Sequence, residues 1–209
     1  MLDDEEDPLL ASLRAGGERA LAETIEVERP RLERIIALRM DPKVSGRLDP
    51  ADVIQETFLE ARKRLGRYLE SPKVPVFVWL RGLTLETLIQ GHRRHLTAQR
   101  RDVGHEVSIE AVGSNASSVA ALTRSMIDRD DTPGVKLQRE ERSKLIASAL
   151  ERLDETDREV LTLRHFEQLG NDEVARIIGV KKAAASRRYT RALGRLREVL
   201  QNVPNLESF

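Results

Sequence analysis

A chain of 209 residues is long enough for one large domain or two small ones, and 35 basic residues balanced by 35 acidic ones give no global pull toward nucleic acid. The absence of cysteine excludes disulfides, thiolate metal sites and cysteine nucleophiles together. One residue in three is charged and only 3% are aromatic, a balance that favours helices over strands and a thin core in each of two small bundles.

The N-terminus carries Asp3, Asp4, Glu5, Glu6 and Asp7 and reads as a solvated, frayed tail, opposite in charge to a secretory signal. No apolar run approaches the roughly 18 residues a membrane helix needs, so a cytoplasmic protein without membrane insertion is expected. Leu21, Ile25, Leu32, Ile35, Ile36 and Leu38 recur at helical spacing, with Pro30 read as an interruption or a helix start. Asp41, Pro42 and Gly46 end that helix. Asp49 then offers an N-cap with Pro50 at the first helical position, and Val53, Ile54, Phe58 and Ala61 stripe a helix reaching Leu65 or Tyr68. The two prolines in Ser71–Pro75 predict a loop, and a third helix is expected over Val76–Arg100, turning basic at His92, Arg93, Arg94, His95, Arg100 and Arg101.

From about 104 to 136 the pattern stops. Small polar residues and the turn-rich Asp130–Gly134 predict a flexible linker, dividing the chain into domains at 1–103 and 137–209. The second bundle opens near Leu137, with Leu145, Ile146, Leu150 and Leu153 on one helix. Thr156 and Glu159 match capping-box spacing for the next.

The stretch 169–200 is the most informative. Asn171 is read as the N-cap of a short helix with Val174, Ile177 and Ile178 inward, and Gly179 as the turn residue. A second helix follows from about Lys181. Short helix, glycine turn and second helix form the helix-turn-helix pattern. Lys181, Lys182, Ala184, Ser186, Arg187, Arg188 and Arg191 are the candidate DNA-binding residues, because small side chains let a backbone approach the major groove and Arg, Lys and Ser reach base edges. Tyr189, Leu193, Leu196 and Leu200 are read as the inward stripe.

The segments 153–167, 172–179 and 191–197 resemble region 4 of bacterial extracytoplasmic-function (ECF) sigma factors of the sigma-70 family. Asp49–Leu59, Trp79-Leu80-Arg81 and the basic run after them resemble region 2. Where the family often carries Asn and Asp this chain has Glu86, Thr87 and Gln90-Gly91-His92, and the Arg93-Arg94-His95 segment suggests a divergent subgroup. The resemblance implies an all-α fold of a region 2-like bundle and a region 4-like helix-turn-helix domain. It also implies a transcription initiation factor rather than an enzyme, with no cofactor or metal. Its partners would be core RNA polymerase, promoter DNA and an anti-sigma factor. By the same resemblance Asp49, Asp52, Gln55 and Glu56 face the polymerase. Tyr68, Lys73, Arg81, Arg93, Arg94, Arg100 and Arg101 serve the −10 region, where an unstacked base needs stacking partners and cations. Region 4 then reads the −35 element.

Two rivals remain at this level. One is a stand-alone helix-turn-helix regulator with a sensing N-terminal bundle. The other is a metal hydrolase using His92, His95 and His105, weakened by the lack of a carboxylate ligand beside a basic run.

Overall fold

The structure, a computed structural model, describes residues 7–40, 48–100, 123 and 136–201, with side chains for 7–40, 48–94, 123 and 144–201. The expected linker lies almost wholly outside the described residues, as do Arg101, His105 and the side chains of His95 and Arg100. Among the described residues there is no strand, and the chain divides into two compact units, 1–112 and 113–209.

In the first unit α1 spans Pro8–Arg39, α2 Pro50–Glu70 and α3 Val76–Arg100. The three pack against one another in pairs. Leu13, Leu21, Leu32, Ile35, Ile36, Ile54, Leu80 and Leu88 are fully buried between them. Each such side chain contributes about 1.5–3 kcal/mol relative to exposure. Threonines in this core carry their own solution to burial. Thr24, Thr57 and Thr84 each donate the hydroxyl to the carbonyl one turn back, of Ala20, Val53 and Leu80, at 2.7, 2.7 and 2.9 Å.

Pro30 does not interrupt α1. The helix runs through it, and the break falls at Gly17, with φ 55° and ψ −131°. A proline inside a helix removes one hydrogen bond. Here Leu21 and Ile25 before it and Leu32, Ile35 and Ile36 after it are all buried, so packing on both sides holds the helix together. Arg31, one residue past the proline, lays its guanidinium 3.5 Å from the centroid of Phe77 of α3 and donates to Glu28 at 2.9 Å.

Helix ends are tied with the same care. Asp49 caps α2 as expected, accepting the amide of Ala51 at 2.8 Å, with Pro50 next. Asp3, Asp4, Glu5 and Glu6 lie outside the described residues, but Asp7, read with them as tail, is fixed in place. One carboxylate oxygen of Asp7 accepts the amide of Leu9 at 3.0 Å, and the other accepts the amide of Val76 at 2.8 Å. A single carboxylate therefore satisfies orphan donors at the starts of α1 and α3.

The second unit holds α4 Lys136–Glu151, α5 Glu155–Leu161, a π-helical turn Thr162–Phe166, α6 Asn171–Ile177 and α7 Lys182–Gln201. Ile146, Leu150, Leu153, Leu161 and Ala192 form its core, with Phe166, Tyr189, Leu196 and Val199 against it. Arg158 of α5 is buried and donates to the carbonyls of Leu150 and Glu151 at 3.1 and 3.0 Å, and to that of Leu153. It thereby closes the C-terminus of α4, where carbonyls lack helical partners and the dipole favours a cation.

Two caps differ from expectation. The N-cap of α5 is Asp154 and not Thr156, because the Asp154 carboxylate reaches the amide of Asp157 at 2.8 Å. The N-cap of α6 is Gly170 and not Asn171, which is the first helical residue. The Glu173 carboxylate satisfies the Gly170 amide at 2.7 Å.

We expect Asp7→Ala to destabilise the full chain by about 1–2 kcal/mol, since two helix starts lose an acceptor. Urea unfolding followed by circular dichroism measures this. An unchanged midpoint would return Asp7 to the tail.

Candidate nucleic-acid interface

The helix-turn-helix is built on one backbone device. Gly179 adopts φ +67°, and the amide of Val180 donates back to the carbonyl of Ala175 at 2.9 Å. This is the Schellman closure of α6, which needs a left-handed residue at that point. Nothing lies within 4 Å of a Cβ built on Gly179, so the demand for glycine is conformational and not steric. Val174 and Ala175 bury the inner face of α6, with Ile177 and Ile178 half-buried beside them.

Beyond the turn, the carbonyl of Lys181 accepts the amides of Ala184 and Ala185 at 2.8 and 3.0 Å and starts α7. Lys181, Lys182, Arg187 and Arg191 are exposed, while Ala184, Ser186 and Arg188 are half-buried. The inward stripe corrects the sequence reading. Leu193 is exposed, and the residues that face the core are Ala185, Tyr189, Ala192, Leu196 and Val199. The expected register was drawn through the largest apolar residues, whereas the most deeply buried positions of α7 are alanines.

Lys182 pairs across the turn. Its ammonium donates to Asp172 of α6 at 2.8 Å. Behind α7, Arg164 of the π turn donates to the carbonyl of Leu169 at 2.6 Å and sits 5.2 Å from the ring centroid of Tyr189. Arg195 donates to both Asp154 at 2.7 Å and Asp157 at 2.5 Å. None of these ties was legible in the sequence. The only local signal was an aspartate three residues before another at the start of α5.

The Asp157 amide, and after it Arg195, hold the Asp154 carboxyl below its ordinary value of 3.8. A group whose folded pKa is depressed adds stability that is present above the unfolded value and lost as pH falls through the folded one. We therefore expect Asp154→Ala to cost about 1–2 kcal/mol at neutral pH. The difference from the parent should shrink as the pH drops below about 4, in melts followed at both pH values. A gap that does not change with pH would assign the effect to packing.

The first unit places its candidates on different parts of the surface. Asp52 and Gln55 are exposed on α2, and Asp49 spends one oxygen on its own cap. Glu56 reaches α3, where Arg94 donates to its two oxygens at 2.8 and 3.1 Å. Lys73 and Arg93 are exposed. Tyr68 and Arg81 are buried, against the expectation that they face DNA. The Tyr68 hydroxyl donates to the carbonyl of Val74 at 2.7 Å, and its ring stacks on Trp79 with centroids 4.2 Å apart and planes within 7°. Burial pushes its hydroxyl well above the ordinary value. This pair shapes the Ser71–Pro75 loop from inside. Arg94 lies 18 residues along α3 from Val76, about 27 Å at helical rise, so Lys73 and Arg94 do not line one pocket. His92 is buried, and no cluster of three potential metal ligands occurs among the described residues.

Residues 143–196 match the family described as Sigma-70, region 4. The chain is similar to RNA polymerase sigma factor SigF of Mycobacterium tuberculosis (strain ATCC 25618 / H37Rv), 30% identical over 97 residues, 46% of this chain. That match spans only 36% of the length of SigF. Similarity to the ECF RNA polymerase sigma-E factor of Haemophilus influenzae is 24% and covers 88% of this chain and 94% of that protein. ECF RNA polymerase sigma factor SigD of the same mycobacterial strain is 27% identical, covering 92% and 82%. Among solved structures, CnrH, in complex with the cytosolic domain of CnrY, covers 92% of this chain and 95% of that one at 21% identity and a TM-score of 0.48.

Proposed function

We propose that this chain belongs to the ECF group of the sigma-70 family and is a transcription initiation factor that binds core RNA polymerase and directs it to promoters. The observation that carries this is the head of α7. Lys181 just before α7, Arg187 in its second turn and Arg191 near its middle are exposed, and a left-handed glycine turn joins that helix to α6. Exposed cations at the start of a helix that follows such a turn suit the edges and phosphates of a major groove. In this reading the domain within 137–209 reads the −35 element, and the domain within 1–103 serves the −10 element and the polymerase.

The polar face of α2 supports the second role. Asp52 and Gln55 are exposed there and match basic side chains on another protein better than they match DNA. Lys73, Arg93 and Arg94 supply the cations that a displaced strand needs. The polymerase carries out the chemistry, and the contribution of this chain is recognition in the cytoplasm. No helix among the described residues is long and apolar enough to cross a membrane.

The test is a pull-down with purified bacterial core polymerase, followed by run-off transcription from the chain's own upstream region. Stable core binding with new start sites is expected. Salt-sensitive binding to duplex DNA by the chain alone, without core binding, would instead favour a stand-alone regulator. The double variant Arg187→Ala, Arg188→Ala should lower promoter-directed transcription by about 30-fold or more while core binding survives, from the worth of two base or phosphate contacts. Undiminished transcription from it would remove α7 from the promoter. Asp52→Lys with Gln55→Lys should weaken core affinity by about tenfold, as like charges meet across the interface. Full affinity would move the polymerase contact elsewhere.

A further inference from the structure

The pairing of Glu56 with Arg94 joins two surfaces that the proposed function assigns to different partners. Glu56 stands on the polymerase-facing side of α2, and Arg94 belongs to the DNA-facing cations of α3. The contact is bidentate, at 2.8 and 3.1 Å, with the Arg94 side chain 60% exposed and that of Glu56 40% exposed. A carboxylate that fills both ends of a guanidinium fork occupies the donors that a phosphate would take. The pair does not serve as the lone clamp between α2 and α3, because Arg64 of α2 also donates to Glu86 of α3 at 2.8 Å. Burial of Val53, Ile54, Leu80 and Leu88 joins the two helices as well.

We infer that Glu56 is a positioning residue that stands in for a phosphate on Arg94, and so withholds one DNA contact until a cation of the polymerase draws Glu56 away. This rests on the reading of α2 and α3 given above. An exposed ion pair is weak, so it opens readily once another partner engages either side. The pair therefore ties presentation of Arg94 to polymerase binding and lowers affinity for stray single strands in its absence.

The experiment uses the full chain without polymerase and a fluorescein-labelled single-stranded DNA oligonucleotide of mixed sequence, followed by anisotropy across a salt series. Glu56→Gln should bind about two- to fivefold more tightly than the parent, the upper part of what one well-aligned exposed pair is worth. Its salt dependence should steepen by about 0.7, the value for one added single-strand phosphate contact. Glu70→Gln removes the same charge from α2 without touching Arg94 or unpairing another cation, and should change neither quantity. In an Arg94→Gln background the added Glu56→Gln should give no gain. Parental affinity and slope in Glu56→Gln would overturn the inference, as would a gain that persists without Arg94. Run-off transcription with polymerase separates this from the underlying reading. Loss of promoter opening in Arg94→Gln, beside parental oligonucleotide affinity in Glu56→Gln, overturns the masking and leaves the promoter role of α3 standing. Unchanged opening in Arg94→Gln removes Arg94 from the DNA surface and overturns both.

Discussion

Every α-helix leaves amides unpaired at its start and carbonyls unpaired at its end, and an all-helical fold must satisfy these groups at every junction. Leaving one buried and unpaired costs about 1–3 kcal/mol, as much as burying a leucine contributes. With few aromatic residues to enlarge its core, this protein cannot absorb many such losses. Its geometry follows from how they are avoided. Asp7 closes two helix starts in the first unit, and Asp49 a third. Asp154 and Arg158 close the junction of α4 and α5 from both sides. Glu173 closes the start of α6. The helix-turn-helix sits where it does because these junctions permit one arrangement of α4 to α7.

The same side chains that fix the ends also consume charge. Arg195 is divided between Asp154 and Asp157, Lys182 is held by Asp172, and Arg94 by Glu56. The formal net charge of zero comes from 35 basic and 35 acidic residues, and local pairing further reduces the field that these cations project. What is left exposed at the head of α7 is a short set of cations on a rigid support. This favours a selective contact over a general attraction to nucleic acid, because nonspecific binding grows with the number of phosphates neutralised.

How much of this could be read from the residues depended on how local the cause was. Asp49-Pro50, the proline pair before Val76 and Gly179 each act within a few positions, and the elements they bound came out close to where the sequence put them. Asp7 looked like tail because its second partner is 69 residues away. Thr156 competed with Asp154 for the same cap on propensity alone, and the choice is reinforced by Arg195, 41 residues distant. Tyr68 looked like a stacking platform, yet its ring found Trp79 and its hydroxyl found Val74. On α7 Tyr189 and Leu196 face the core as expected, but Leu193 does not, and Ala185 and Ala192 carry no size signal for burial. At a close helix contact a small side chain is the one that fits.

That last point reaches beyond α7's own packing. A helix of 20 residues is a rod about 30 Å long. Ala192 touches the core near its middle, ten residues from Lys182, or about 15 Å from the tip. Ala192 therefore acts as a fulcrum. A larger side chain there, tilting the rod by about 5°, would carry the tip through about 1.3 Å by the geometry of that arm. Paired hydrogen bonds to a base edge do not tolerate an error of that size. In the proposed reading, the aim of that tip depends in part on a methyl group set far back along the helix, together with Ala185 and Tyr189, which seat α7 nearer its start.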